Sequence, residues 1–190
     1  EAYLLGKADD MDSTSIGILL SGCCGLRIGE LCALQWKNIN WEEGTIQIRG
    51  TMQRIRTFRQ EETRTKIIIS DPKSKSSNRE IPVPAYLFDY LKRIKGNGEE
   101  YILAGKKKEY LEPRTLQYRF KKILEQLEIP YFNFHMLRHI FATNCISRGF
   151  DMKTLSELLG HSNITTTMRI YVHSDMERKK QLMAGYRLAS

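Results

Sequence analysis

The residues best equipped for chemistry lie in the last third of the chain, Phe134 to Val172. That stretch contains F-H-M-L-R-H-I-F-A-T-N and then L-L-G-H-S-N-I-T-T-T-M-R-I-Y-V. His135 and Arg138 are three apart, so on a helix they share a face. His161 follows Gly160, a helix-stop signal. Tyr171 comes ten residues after His161. Two imidazoles, a guanidinium and a phenol on successive short elements suit a phosphodiester. The cations would hold its oxygens, and the hydroxyl could attack phosphorus.

The charge balance points the same way. The chain has 190 residues, enough for one domain with a sizeable core, and a formal charge of +8. The excess is clustered. Arg49 to Arg79 holds nine Lys/Arg against three acids, and Gly105 to Lys122 holds seven against two. The remainder is slightly acidic. Most charge runs are simply solvated faces. Two basic patches on an acidic body favour a polyanionic partner. The residues expected to meet it are Arg49, Arg54, Arg56, Lys66, Lys75, Arg79, Lys106, Lys107, Arg114 and Arg119.

Other classes are disfavoured. Cys23, Cys24, Cys32 and Cys145 include no C-x-x-C, so buried thiols in a reducing cytoplasm are expected rather than a disulfide framework or zinc. His135 and His139 stand at i, i+4, but Met136 occupies the place of a metalloprotease Glu, so no metal site is expected. No apolar run reaches the roughly 18 residues of a membrane span, and no signal peptide opens the chain. The opening E-A-Y-L-L-G reads as the end of a helix, as in a segment of a longer protein.

The elements that must position these groups can be traced in order. Asp12 to Ser15 offers helix caps before an apolar run broken by Gly25. R-I-G-E-L-C-A-L-Q-W resumes as a second helix, with Arg27 at its start and Glu30 one turn on, placed to pair with an arginine. T-I-Q-I-R, R-T-K-I-I-I-S and R-E-I-P-V-P read as three strands of a small, basic antiparallel sheet. Lys73 and Lys75 fall in the loop before the third. Helices follow up to Gly96, over Pro113 to Leu127, and from His135 to stops at Gly149 and Gly160. A short helix or turn spans I-T-T-T-M-R-I-Y, and a last helix begins at Ser174. The expected class is α+β, mostly helical, with a three-stranded antiparallel sheet on one edge.

Singly, these signals are weak. An Arg at a Gly-marked corner is usually a surface or salt-bridge residue, and Tyr171 between Ile170 and Val172 is by default a packed aromatic. In combination they resemble the tyrosine recombinase (phage-integrase) family, over essentially the whole chain. The motifs are C-G-L-R-I-G-E-L, P-K-S-K-S-S-N-R-E-I-P, H-M-L-R-H-I-F-A-T, L-G-H-S-N-I-T-T-T and Y-V-H, in that order. Cys24 stands where Thr is common in the family and Met136 where Asp is. The long basic hairpin, Thr51 to Lys66, is most similar to integrases of conjugative transposons and related phages.

The resemblance implies a catalytic set of Arg27, Lys73, His135, Arg138, His161 and the nucleophile Tyr171, with Lys75 the alternative lysine. It implies site-specific recombination through a 3′-phosphotyrosyl intermediate, serving integration and excision of a mobile element. No metal or other cofactor is needed, because the bond energy is kept in the covalent link. It implies a double-stranded DNA partner, a homotetramer on synapsed DNA from a protein that is a monomer when free, and a bacterial cytoplasmic, nucleoid-associated location. A type IB topoisomerase and a Xer-type chromosome-dimer resolvase are the alternatives. Residues 1–173 are expected to form the catalytic domain, without the family's N-terminal core-binding and arm-binding domains. The tail, 174–190, is expected to dock on a neighbouring subunit.

Overall fold

The computed structural model describes residues 12–57, 65–71, 78–105 and 109–171, together with 180 and 184; the side chains of residues 169–171 are outside that set. Lys73, Lys75, Lys106 and Lys107 lie outside the described residues, as does nearly all of the tail from Ser174.

Helix α1 (Ser13–Cys24) is the hub of the core. Asp12 caps it by accepting from the Thr14 and Ser15 amides at 3.1 and 2.9 Å. Its sequence is apolar or small on every side, so it is buried all round rather than along one stripe. Leu20 is fully buried, and truncating it to Ala would cost about 2–5 kcal/mol. The helix ends at Gly25, which takes a left-handed φ of 68° and donates its amide to Ser21. Helices α2 (Ile28–Ala33), α4 (Pro113–Gln126) and α5 (His135–Ser147) pack against it.

The expected second helix is shorter than R-I-G-E-L-C-A-L-Q-W. It stops at Ala33 because Gln35 is drawn into an antiparallel bridge with Tyr101. A single 3₁₀ turn at Trp36–Asn38 then leads into the sheet.

That sheet is antiparallel and three-stranded, in the order β1 (Ile39–Asn40), β2 (Thr45–Ile48), β5 (Arg79–Pro82). Ile46 pairs with Ile39 on one side and Ile81 on the other, giving one apolar face toward the core. Its membership differs from the expected trio. R-T-K-I-I-I-S forms a separate hairpin in which β4 (Thr65–Ser70) pairs with β3 (Thr51–Arg56). Arg54 and Arg56 alternate with less exposed neighbours on β3, while Met52, 1% exposed, anchors its start against α2.

Helix α3 (Ala85–Arg93) buries Leu87, Phe88 and Leu91. Helices α6 (Met152–Leu159) and α7 (Ile164–Tyr171) follow. A smaller cluster of Ala142, Cys145, Ile146, Leu155 and Leu159 joins α5 to α6. Among the described residues no helix is long and apolar enough to cross a membrane.

Candidate active site

The site is built around the C-terminal end of α6. Asp151 caps the other end of this helix through the Lys153 and Thr154 amides. Gly160 ends it with a φ of 61°. The last carbonyls of a helix lack intrahelical donors and carry the negative end of its dipole. Here three consecutive carbonyls each accept from a different arginine. Leu158 O accepts from Arg79 Nε at 2.7 Å, Leu159 O from Arg138 Nη2, and Gly160 O from Arg27 Nη2 at 3.2 Å. Residues from three distant parts of the sequence thus converge on one helix end.

Arg138 arrives from the first turn of α5. It is 3% exposed and also donates through Nη1 to Gly25 O at 2.6 Å. Gly25 also lets α5 pack closely here: a Cβ there would lie 2.5 Å from the Phe141 ring. Burial, then the charge of Arg27, brings the Arg138 pKa down to about 9, which leaves it cationic at neutral pH. Its three bonds to protein acceptors, including one to His161, leave two of its five N–H donors for an anion.

Arg27 begins α2, the position the sequence indicated. Its Nη1 donates to Glu30 Oε1 at 2.8 Å, and Glu30 Oε2 accepts the Arg27 amide at 2.8 Å. Its side chain is 36% exposed, so of the three arginines it is the one open to solvent.

His161 lies one residue beyond Gly160. Its Nε2 stands 3.1 Å from Arg138 Nη2, and its Nδ1 stands 2.8 Å from Thr167 Oγ1. Burial, then Arg138, Arg27 and Arg79, push its pKa down to about 4, so the ring is neutral at pH 7. A guanidinium can only donate, so Nε2 is the acceptor and the ring proton sits on Nδ1.

His135 opens α5 one turn before Arg138 and is exposed. Its ring meets His139 edge-to-face at 4.8 Å. Partial burial of the ring among its neighbours, then the charges of His139, Arg138 and Arg27, lower its pKa. A neutral imidazole beside two guanidiniums can accept a proton. Among the described residues no three His, Cys, Asp or Glu side chains are grouped as metal ligands.

Arg27, Arg138 and His161 are therefore brought into one cluster, with His135 at its edge. Tyr171 is the last residue of α7, one turn beyond Thr167. Helix α7 packs on both α5 and α6.

The structure changes the reading of one basic residue. Arg79, expected among the duplex contacts, has a side chain only 6% exposed and gripped by Glu30, which leaves little of it to face a duplex. Arg49, Arg54, Arg56, Lys66 and Arg114 remain on the surface, and Arg119 is half-buried. Arg54 bonds to Glu112, just before α4, and Arg54, Arg56 and Arg114 line one groove. Arg54 and Arg56 of the first basic patch thereby meet Arg114 of the second. Glu30 was legible only as an arginine partner; in the fold it holds two. Burial pushes its pKa up, but hydrogen bonds and charge from Arg79 and Arg27 outweigh this and hold it below the usual carboxylate range. Thr167 was not singled out in the sequence, because three consecutive threonines give no sign of which one is buried.

One carboxylate against three guanidiniums leaves the cluster net positive, as a phosphate site requires. Known proteins share this arrangement of elements. The chain is 33% identical over 172 residues to a XerC-like tyrosine recombinase of Caldanaerobacter subterraneus subsp. tengcongensis, covering 82% of this chain and 44% of that protein. It is 31% identical over 179 residues to the tyrosine recombinase XerA of Thermococcus onnurineus, covering 91% and 55%. It thus spans about half the length of these relatives. The Tn1549 transposon integrase, solved in complex with circular intermediate DNA, superimposes with a TM-score of 0.77 at 22% identity, over 96% of this chain and 64% of that one. A XerA recombinase superimposes with a TM-score of 0.69 at 19% identity, over 98% and 61%. Residues 5–178 match the phage integrase family, so an arginine–histidine cluster at a helix end, a basic hairpin and a tyrosine one helix later have a common explanation: the chain belongs to that family.

Proposed function

We propose that this chain is the catalytic part of a site-specific DNA recombinase, which cuts and rejoins strands through a covalent tyrosine link. The observation that carries the reading is the convergence of Arg27, Arg138 and His161 on the α6 terminus, with the helix of Tyr171 packed beside it. Arg27 and Arg138 would fork onto the non-bridging oxygens, whose charge grows in the transition state. His161 would add a hydrogen bond there. His135 would take the proton of the Tyr171 phenol, whose ordinary pKa of about 10 makes attack costly at neutral pH. Lys73, a compact and movable cation, would protonate the leaving 5′-oxygen. The phenolic oxygen gains the 3′-phosphate as the P–O5′ bond breaks; a 5′-hydroxyl of a partner strand reverses the step.

The groove of Arg54, Arg56 and Arg114, with Arg49, Lys66 and Arg119 and with Lys75, Lys106 and Lys107 outside the described residues, would track the phosphate backbone of a duplex. Integrases and Xer recombinases among the structural neighbours were solved on DNA, which supports this partner. On synapsed DNA the protein would act as a homotetramer, its tail, 174–190, docking on the next subunit, while the free protein is a monomer. It would work in the bacterial cytoplasm at the nucleoid, on integration and excision of a mobile element.

A nicked half-site substrate tests the reading. It loses its cut fragment by diffusion and so traps the intermediate. Expected is a protein–DNA adduct stable to detergent, and strand transfer when a 5′-hydroxyl acceptor duplex is added. No adduct would refute covalent catalysis. An adduct-forming protein that relaxes supercoiled plasmid but never recombines two intact duplex sites would be a topoisomerase instead.

A further inference from the structure

The bond between His161 and Thr167 carries an inference that builds on the roles just proposed. Thr167 is fully buried, yet it is a polar residue inside the site. Its Oγ1 lies 2.8 Å from His161 Nδ1. On the other side of the ring, Arg138 Nη2 lies 3.1 Å from Nε2. Arginine has no acceptor, so Nε2 accepts, Nδ1 carries the proton, and the threonine oxygen accepts it. At rest His161 is therefore in the tautomer that cannot donate from Nε2. Donation to a phosphate oxygen needs the opposite one.

We infer that Thr167 is a positioning residue that carries His161 between two tautomers: its hydroxyl accepts from Nδ1–H at rest and donates to Nδ1 when Nε2–H turns to a phosphate oxygen. Among neutral side-chain groups of this size, a hydroxyl can fill both roles by rotating about its C–O bond. The exchange moves no net charge. Nδ1 gives one proton to water, Nε2 takes one from water, and Arg138 Nη2 shifts its donation from Nε2 to the phosphate. His161 is only half-buried, so water reaches it.

The location of Thr167 adds a second effect. It sits on α7, four residues before Tyr171. The same bond therefore ties the helix of the nucleophile to the imidazole that reads the phosphate. Phosphate binding and placement of the nucleophile's helix share one hinge point.

Protein labelled with ¹⁵N-histidine tests this, because each ring nitrogen reports its own protonation. The free wild-type chain is expected to show His161 protonated at Nδ1. Bound to an uncut duplex, the Tyr171→Phe chain should show it protonated at Nε2. Thr167→Val keeps the shape and removes the hydroxyl; it should lose the resting Nδ1–H signature and slow adduct formation about tenfold, with duplex affinity within about twofold of wild type. Thr167→Ser should restore both the signature and the rate. An Nε2–H ring in the free protein, an unchanged tautomer on DNA, or a wild-type rate in Thr167→Val would each overturn the inference. The spectrum of the free wild-type chain decides its first half even if Thr167→Val fails to fold. A wild-type chain that gives no adduct at all would instead sink the covalent mechanism, and the tautomer spectra would still judge Thr167.

Discussion

Arg79 and Glu30 meet as a two-pronged pair: Nη1 to Oε1 and Nη2 to Oε2, each at 2.9 Å. Both side chains are almost sealed, at 6% and 5% exposure. The pair clasps β5 to α2, and Arg79 Nε extends the clasp to α6. Removing one member of such a pair leaves the other charge buried beside fewer partners. Arg79→Met is expected to lower stability by about 3–5 kcal/mol in urea unfolding. The salt dependence of duplex binding by the folded fraction should not change. Arg56→Ala should do the reverse: stability within about 0.5 kcal/mol, and a salt slope reduced by about one. Loss of salt slope in Arg79→Met without loss of stability would return Arg79 to the duplex interface.

Acid should act on two groups in the same direction. The Glu30 carboxyl titrates below its ordinary value in the folded state. The unfolded chain thus takes up its proton first as pH falls. The stability Glu30 contributes is complete above its unfolded pKa of about 4.3 and is lost as pH drops through the folded value. His161, held at about 4 when folded, behaves likewise from its unfolded value of about 6.5. Between those values only the unfolded ring is protonated, so stability should fall as pH is lowered. Denaturant unfolding at stepped pH should show a shallower slope in that window for His161→Gln than for wild type. Identical slopes would mean that His161 is not held neutral.

The lysine is testable by chemistry rather than by contact. Lys73→Ala should slow cleavage by about 10²–10⁴-fold, the usual worth of a positioned proton donor. A substrate with a 5′-bridging sulfur expels a leaving group that needs no proton and should recover most of that rate. The same pattern in Lys75→Ala, absent from Lys73→Ala, would move the role by two residues.

Tyr171→Phe removes one oxygen. Duplex affinity and the unfolding midpoint are expected to match wild type, while the covalent adduct disappears from denaturing gels. A persisting adduct would assign the attack to another side chain.

Much of this architecture can be read from the chain, for reasons that differ by element. Gly25 and Gly160 announce their helix ends because left-handed caps favour glycine, and Asp12 and Asp151 announce the starts. Spacing alone places His135 and Arg138 together on α5. The basic hairpin from Thr51 was legible too, but not that its second strand leaves the three-stranded sheet to pair with β3 alone. The fate of Arg79 was hidden for a stronger reason. An arginine in a basic run is solvated unless tertiary structure brings it a carboxylate, and Glu30 is 49 residues away. Thr167 was hidden by its identical neighbours: only docking of α7 decides which of the three threonines reaches His161.

The carbonyls of Leu158, Leu159 and Gly160 take their donors from positions 79, 21 and 133 residues earlier in the chain. During synthesis the arginines leave the ribosome well before the helix end that gathers them. A nascent chain therefore holds the charges of the site without their arrangement. The arrangement is complete only when α6 closes against the rest of the domain and α7, which ends at Tyr171, packs on it.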